Sequence, residues 1–145
     1  MSLIGHQMEA EMEILAAGRE RAQVRWGEAL TGGFTIVPDV LLKNQGKLGL
    51  GFREMCVLVQ LLSFWWVADE WPRPQIGTLA KRVGSDERTV QRAIGALVDQ
   101  GLIERTRVRT KYGDYVQGFS LSGLVARLET IAEQPTAQAD GTRST

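Results

Sequence analysis

The chain has 145 residues, 43% of them hydrophobic, and its 17 basic and 17 acidic side chains leave no formal net charge. That is enough apolar material for one compact domain plus extensions, and it argues against global disorder. No apolar run reaches the roughly 18 residues that cross a bilayer, the N-terminus lacks a signal-peptide pattern, and a lone Cys56 excludes an internal disulfide, so a cytoplasmic (bacterial nucleoid-associated) setting is expected.

Residues 1–30 predict a helix in which Met8, Met12, Ile14, Leu15 and Ala16 lie among charges, followed by Val24 and Trp26. The apolar stripe is loose, which suits either a peripheral helix or an oligomerisation arm. Thr31, Gly32 and Gly33 break it, so residues 1–31 are expected to be an N-terminal helical extension and 32–134 the main domain. Phe34–Val37 is a short strand candidate, and Pro38-Asp39 opens a short helix through Leu41 and Leu42. Gly46, Gly49 and Gly51 predict a flexible connection. From about Phe52, the residues Met55, Leu58, Leu61, Leu62 and Trp65 share one side of a longer core helix. Trp65 is assigned to that core, with Trp66 and Trp71 covering the helix end; the sharper reading makes Trp66 or Trp71 an anchor for a partner. Asp69 and Glu70 fit a solvated cap.

Ile76, Leu79, Ala80 and Val83 fall at i, i+3, i+4 and i+7, one apolar stripe, with Pro74 two residues ahead of it. Gly84 can take the positive φ that ends this helix, and Asp86 or Ser85 can cap the next. At about 100° per residue, Arg88, Gln91, Arg92 and Gly95 share one polar, flat face of the helix over 86–100, opposite Val90, Ala93, Ile94 and Leu97. One face packs; the other offers two guanidiniums and an amide, as a helix in a DNA major groove must. Gly101 supplies the stop.

Alternation over Ile103–Arg109 places Ile103, Arg105, Arg107 and Arg109 on one face of a strand. Lys111-Tyr112-Gly113-Asp114 reads as a turn, and Tyr115–Leu121 as a returning strand with Phe119 and Leu121 inward. The arginines suit phosphates or a narrow minor groove; the plainer reading is a hairpin whose charges keep its edge from aggregating. From Ser122 to about Gln134 a last helix carries Leu124, Val125, Leu128, Ile131 and Ala132, to pack on a twin chain or back on Met55–Val67. Residues 135–145 are polar and aperiodic, a disordered tail or linker.

The run Pro74–Arg105 resembles the helix-turn-helix of the winged-helix superfamily, particularly of bacterial, phage and plasmid proteins with Leu79-Ala80, Arg82, Gly84, Arg88-Thr89-Val90-Gln91-Arg92, Ile94, Leu97 and Gly101-Leu102-Ile103 so spaced. Phe34–Leu42 is similar to the segment that opens many such domains. The resemblance implies a mainly α fold with a small β-hairpin wing (α+β). It also implies duplex DNA as partner, with Arg88, Gln91 and Arg92 on base edges, Thr89, Lys81 or Arg82 on phosphates, and Arg105, Arg107, Arg109 and Lys111 on the wing.

Charge distribution agrees: residues 73–111 carry nine Lys or Arg against four Asp or Glu, whereas 1–72 carry six against nine and 113–145 two against four. A transcriptional regulator is the first functional expectation. The alternatives are a replication initiation protein that binds an origin, with residues 135–145 a linker onward, and a winged helix that serves only as a protein-interaction module. One recognition helix covers few base pairs, so a homodimer is expected, with a replication or transcription protein as a further partner. His6 is the only histidine, Cys56 has no second thiol to build a zinc site with, and no Gly-rich loop ends in Lys-Ser/Thr. No enzymatic activity, cofactor, metal or membrane association is therefore expected.

Overall fold

The computed structural model describes residues 3–134, which divide into two compact units, one through Thr35 and one from Ile36. In the first, α1 (Leu3–Trp26) runs into a 3-10 helix (Gly27–Gly32) across Gly27, whose φ of 57° allows the turn. Leu30 is buried there, and the Thr31 hydroxyl donates to the Glu28 carbonyl at 2.6 Å. Met12, Ile14, Val24 and Trp26 of α1 are exposed, in keeping with the loose stripe of the sequence.

The second unit is built from α2 (Asp39–Lys43), α3 (Phe52–Ser63), α4 (Ile76–Val83), α5 (Glu87–Asp99), the antiparallel strands β1 (Glu104–Arg109) and β2 (Tyr115–Ser120), and α6 (Ser122–Glu133). It is mainly helical with a two-stranded hairpin: the winged-helix arrangement, α+β. The apolar faces expected from periodicity converge. Leu58 and Leu61 of α3, Leu79 of α4, and Val90, Ile94 and Leu97 of α5 are almost wholly buried, and α5 packs on both α3 and α4. Each such leucine or isoleucine contributes about 1.5–3 kcal/mol by leaving water. Leu102, Phe119 and Leu121 close this core from the hairpin side, and Leu124 and Leu128 from α6.

The helix-turn-helix obeys its punctuation. Gly84 has φ 69°, and the Gly84 and Ser85 amides donate to the Lys81 and Ala80 carbonyls, a Schellman stop that turns the chain sharply. Asp86 then caps α5 by accepting the Thr89 amide at 2.7 Å. At the other end Gly101, φ 74°, repeats the Schellman pattern, with the Gly101 and Leu102 amides donating to the Val98 and Leu97 carbonyls.

Two expectations are corrected. Phe34–Val37 forms no strand: Phe34 and Ile36 are exposed, and Val37 packs on the core without pairing, so the apolar alternation there lacks the partner strand it would need. Nor is the glycine-rich stretch after α2 a free connection. The amides of Leu48, Gly49 and Leu50 donate to the carbonyls of Asn44, Gly46 and Gln45, Leu48 and Leu50 are buried, and Gln100 Nε2 donates to the Gly49 carbonyl at 2.7 Å. Its two leucines pin it down.

The β1–β2 register runs from Glu104 opposite Ser120 to Arg109 opposite Tyr115, closed by a turn in which Gly113 has φ 89°. On the outer edge of β2, the Phe119 amide donates to the Pro72 carbonyl at 2.9 Å. Pro72 has no amide to return and Pro74 follows it, so the contact stays a single bond instead of growing into a third strand. The last helix, α6, packs back within its own chain, against α2, and its Leu124 amide donates to the Leu102 carbonyl at 2.9 Å. The expected tail, 135–145, lies outside the described residues.

Candidate nucleic-acid interface

The outward face of α5 carries Arg88, Gln91 and Arg92, all exposed, while Val90, Ala93, Ile94 and Leu97 hold the opposite face in the core. Burial of the apolar stripe therefore orients the polar one, and Gly95 keeps its middle flat. The Asp86 cap lies at the start of this face. Its carboxyl is held below the usual carboxylate range by hydrogen bonds from the Thr89 amide and hydroxyl, with smaller help from the charges of Arg92 and Arg53.

The hairpin continues the surface. Arg105, Arg107 and Arg109 share one face of β1, opposite Phe119, Gln117 and Tyr115 in turn. At the core end Phe119 is buried; toward the tip Tyr115 is exposed and the Arg107 guanidinium sits 4.8 Å over its ring, a cation–π contact that steadies the arginine. A cleft of about 190 Å³ joins the two elements: Gln91 of α5 lines it together with Arg105 and Gln117 of the hairpin. Helix face and wing thus meet at Gln91 and Arg105. At the tip, Lys111 Nζ lies 5.1 Å from the Tyr112 ring, and both residues are exposed.

Three sequence-derived candidates sit differently. Lys81, in the last turn of α4, is exposed on a separate cleft that runs along α4 to the start of α5, shared with Gln75, Thr78 and Glu87. Thr89 is half-buried, committed to the Asp86 cap and to a groove against α3. Arg82 is engaged by the end of α3: its guanidinium stacks 4.3 Å over the Phe64 ring and donates to Ser63 Oγ at 3.4 Å. Gln117 is the residue that sequence reasoning passed over; its position opposite Arg107, inside the predicted hairpin, was the available signal.

Among the described residues no group of acidic, Cys or His side chains could hold a metal, and no helix is long and apolar enough to cross a membrane.

Residues 37–139 match the family model described as the DnaD N-terminal domain. Among solved structures, the chain is similar to the N-terminal domain of DnaD protein from Geobacillus kaustophilus, at 23% identity and a TM-score of 0.54, covering 74% of this chain and 87% of that one. A possible transcriptional regulator from Methanosarcina mazei aligns at 22% identity and a TM-score of 0.42, over 65% of this chain and 74% of that one. The multiple antibiotic-resistance repressor MarR from Listeria monocytogenes aligns at 15% identity and a TM-score of 0.38, over 90% and 83%. No curated protein matches the sequence.

Proposed function

The chain belongs to the DnaD N-terminal domain family, and we propose that it acts by binding duplex DNA through α5 and the wing, without catalysis. The observation that carries this reading is the continuous exposed surface from Arg88, Gln91 and Arg92 across the Gln91–Arg105 cleft to Arg107 and Arg109. Arg88, Gln91 and Arg92 have the donors that read guanine and adenine edges in a major groove, and the wing arginines suit flanking phosphates. Lys81 and Lys111 would extend the phosphate contacts; Arg82 and Thr89, being engaged within the fold, are weaker candidates.

Two settings fit such a module: transcriptional regulation and replication initiation. Membership in a replication-related family favours the second, in which the domain binds DNA while recruiting a replication protein. Two copies would read two half-sites about one helical turn apart, as a single recognition helix covers few base pairs. The exposed apolar residues of α1 make it the more available dimer element, because α6 already spends Leu124 and Leu128 on its own core.

The test is a fluorescence-anisotropy titration with mixed-sequence duplex DNA over a series of salt concentrations. Affinity should fall linearly in log–log form, with a slope near −0.9 per phosphate contacted. Absence of binding at low salt would overturn the proposal and favour a protein-interaction module.

A further inference from the structure

Between the segment that follows α3 and the tip of the wing lies an open cleft of about 510 Å³, within the range of roughly 300–1,000 Å³ that small-ligand sites occupy. It is separate from the Gln91–Arg105 cleft. Trp66 stands on its wall, 83% exposed. Yet this indole is not a loose side chain: its Nε1–H donates to the Ser63 carbonyl at 2.7 Å, at the last residue of α3, which fixes the ring. Trp71, also lining the cleft, is half-buried and braced by Trp65, with ring centroids 5.4 Å apart.

Charge surrounds these rings unevenly. Arg73, Arg109 and Lys111 line the same cleft, against Glu70 as the one acid among its lining residues. A pinned, exposed indole offers a flat π-face; the surplus of cations demands a negative partner. An unpaired nucleotide has both a flat base and a phosphate, whereas the bases of a duplex are already stacked on each other and cannot present a face.

We propose that this cleft binds single-stranded nucleic acid, stacking one unpaired base on Trp66 while Arg73, Arg109 and Lys111 face its phosphates. The site goes beyond duplex recognition by α5 and does not depend on it. A protein that met a duplex through α5 and an opened strand beside the wing tip, with Arg109 and Lys111 shared between the two, would be suited to a junction between them.

The experiment is an anisotropy titration of the full chain with labelled oligothymidylate, with an abasic strand of equal length, and with duplex DNA in parallel. Wild type should prefer oligothymidylate to the abasic strand. Trp66→Ala should weaken oligothymidylate binding roughly tenfold, leave duplex binding unchanged, and keep the wild-type unfolding midpoint; Trp66→Phe should restore most of the loss. Equal affinity for the abasic strand would show that only phosphates are held, and would overturn the proposal. So would a Trp66→Ala variant that binds oligothymidylate like wild type, or that loses duplex and single strand alike. Failure of duplex binding alone would count against α5 recognition and leave this cleft standing.

Discussion

The wing arginines allow the DNA reading to be tested by counting. Arg105, Arg107 and Arg109 lie on one face of β1, so each can be changed to Gln with the hairpin register kept by the backbone bonds. If each neutralises one phosphate, each loss should flatten the slope of log K against log salt by about 0.9, and the three together by about 2.7. Over a fourfold rise in salt, from about 50 to 200 mM, a single variant would then lose about 3.5-fold less affinity than the parent, and the triple variant about 40-fold less. Lys47→Gln is the control: the same charge change in the exposed turn beside Gly49, which bonds to the C-terminal end of α5. Salt-dependent anisotropy on one duplex gives all the slopes. A triple variant with the parental slope, or a Lys47 variant that flattens as much as Arg107→Gln, would refute wing contact and reduce the effect to net charge.

Arg92→Ala should weaken binding to a selected site by about 1–3 kcal/mol more than binding to random duplex; equal losses in competition titrations would show that Arg92 touches only phosphate. Gly118→Ala should destabilise the domain by about 1–3 kcal/mol, read from chemical denaturation, because the added methyl would meet Val108 and lie 2.9 Å from the Pro72 carbonyl. Adding Val108→Ala should recover part of that loss. Asp86 has a folded pKa below its unfolded value, so its contribution is present above the unfolded carboxylate pKa and is lost as pH falls through the lower folded one. Asp86→Asn, which keeps the cap but not the charge, should therefore show a shallower fall of Tm on acidification than wild type, and unchanged steepness would contradict the assignment.

What the sequence made legible is what local chemistry decides. The pattern from Ile76 to Gly101 contains its own stops and caps, and the structure uses them: Gly84 and Gly101 at positive φ, Asp86 on the Thr89 amide. Burial of Val90, Ile94 and Leu97 then leaves Arg88, Gln91 and Arg92 no face but the outer one. Misreadings fall where the deciding partner is distant. Phe34 and Ile36 alternate like a strand but have none beside them, and glycines after α2 suggested slack that Leu48, Leu50 and Gln100 remove. Arg82 looked like any other basic residue of the helix-turn-helix until Phe64 and Ser63, eighteen and nineteen positions earlier, claimed it.

The same distinction explains why the sequence shows only the aromatic half of the cleft, with Trp66 and Trp71 as candidate anchors but not their cationic neighbours on the wing. Trp66 and Arg73 are near neighbours in the chain, but Arg109 and Lys111 join them only through the fold, in which the Phe119 amide ties the core end of β2 to Pro72 and the wing tip lies beside the post-α3 segment. Pro72 and Pro74 matter here for what they withhold. An amide at position 72 could have extended the single bond toward a third strand, drawing that segment flat against the hairpin. With proline there, one bond holds the two parts together and the space beyond it stays open, lined by an indole on one side and by Arg109 and Lys111 on the other. On this argument the cleft is a consequence of arrested strand pairing, and its cationic lining comes from the same charge surplus that supplies the wing.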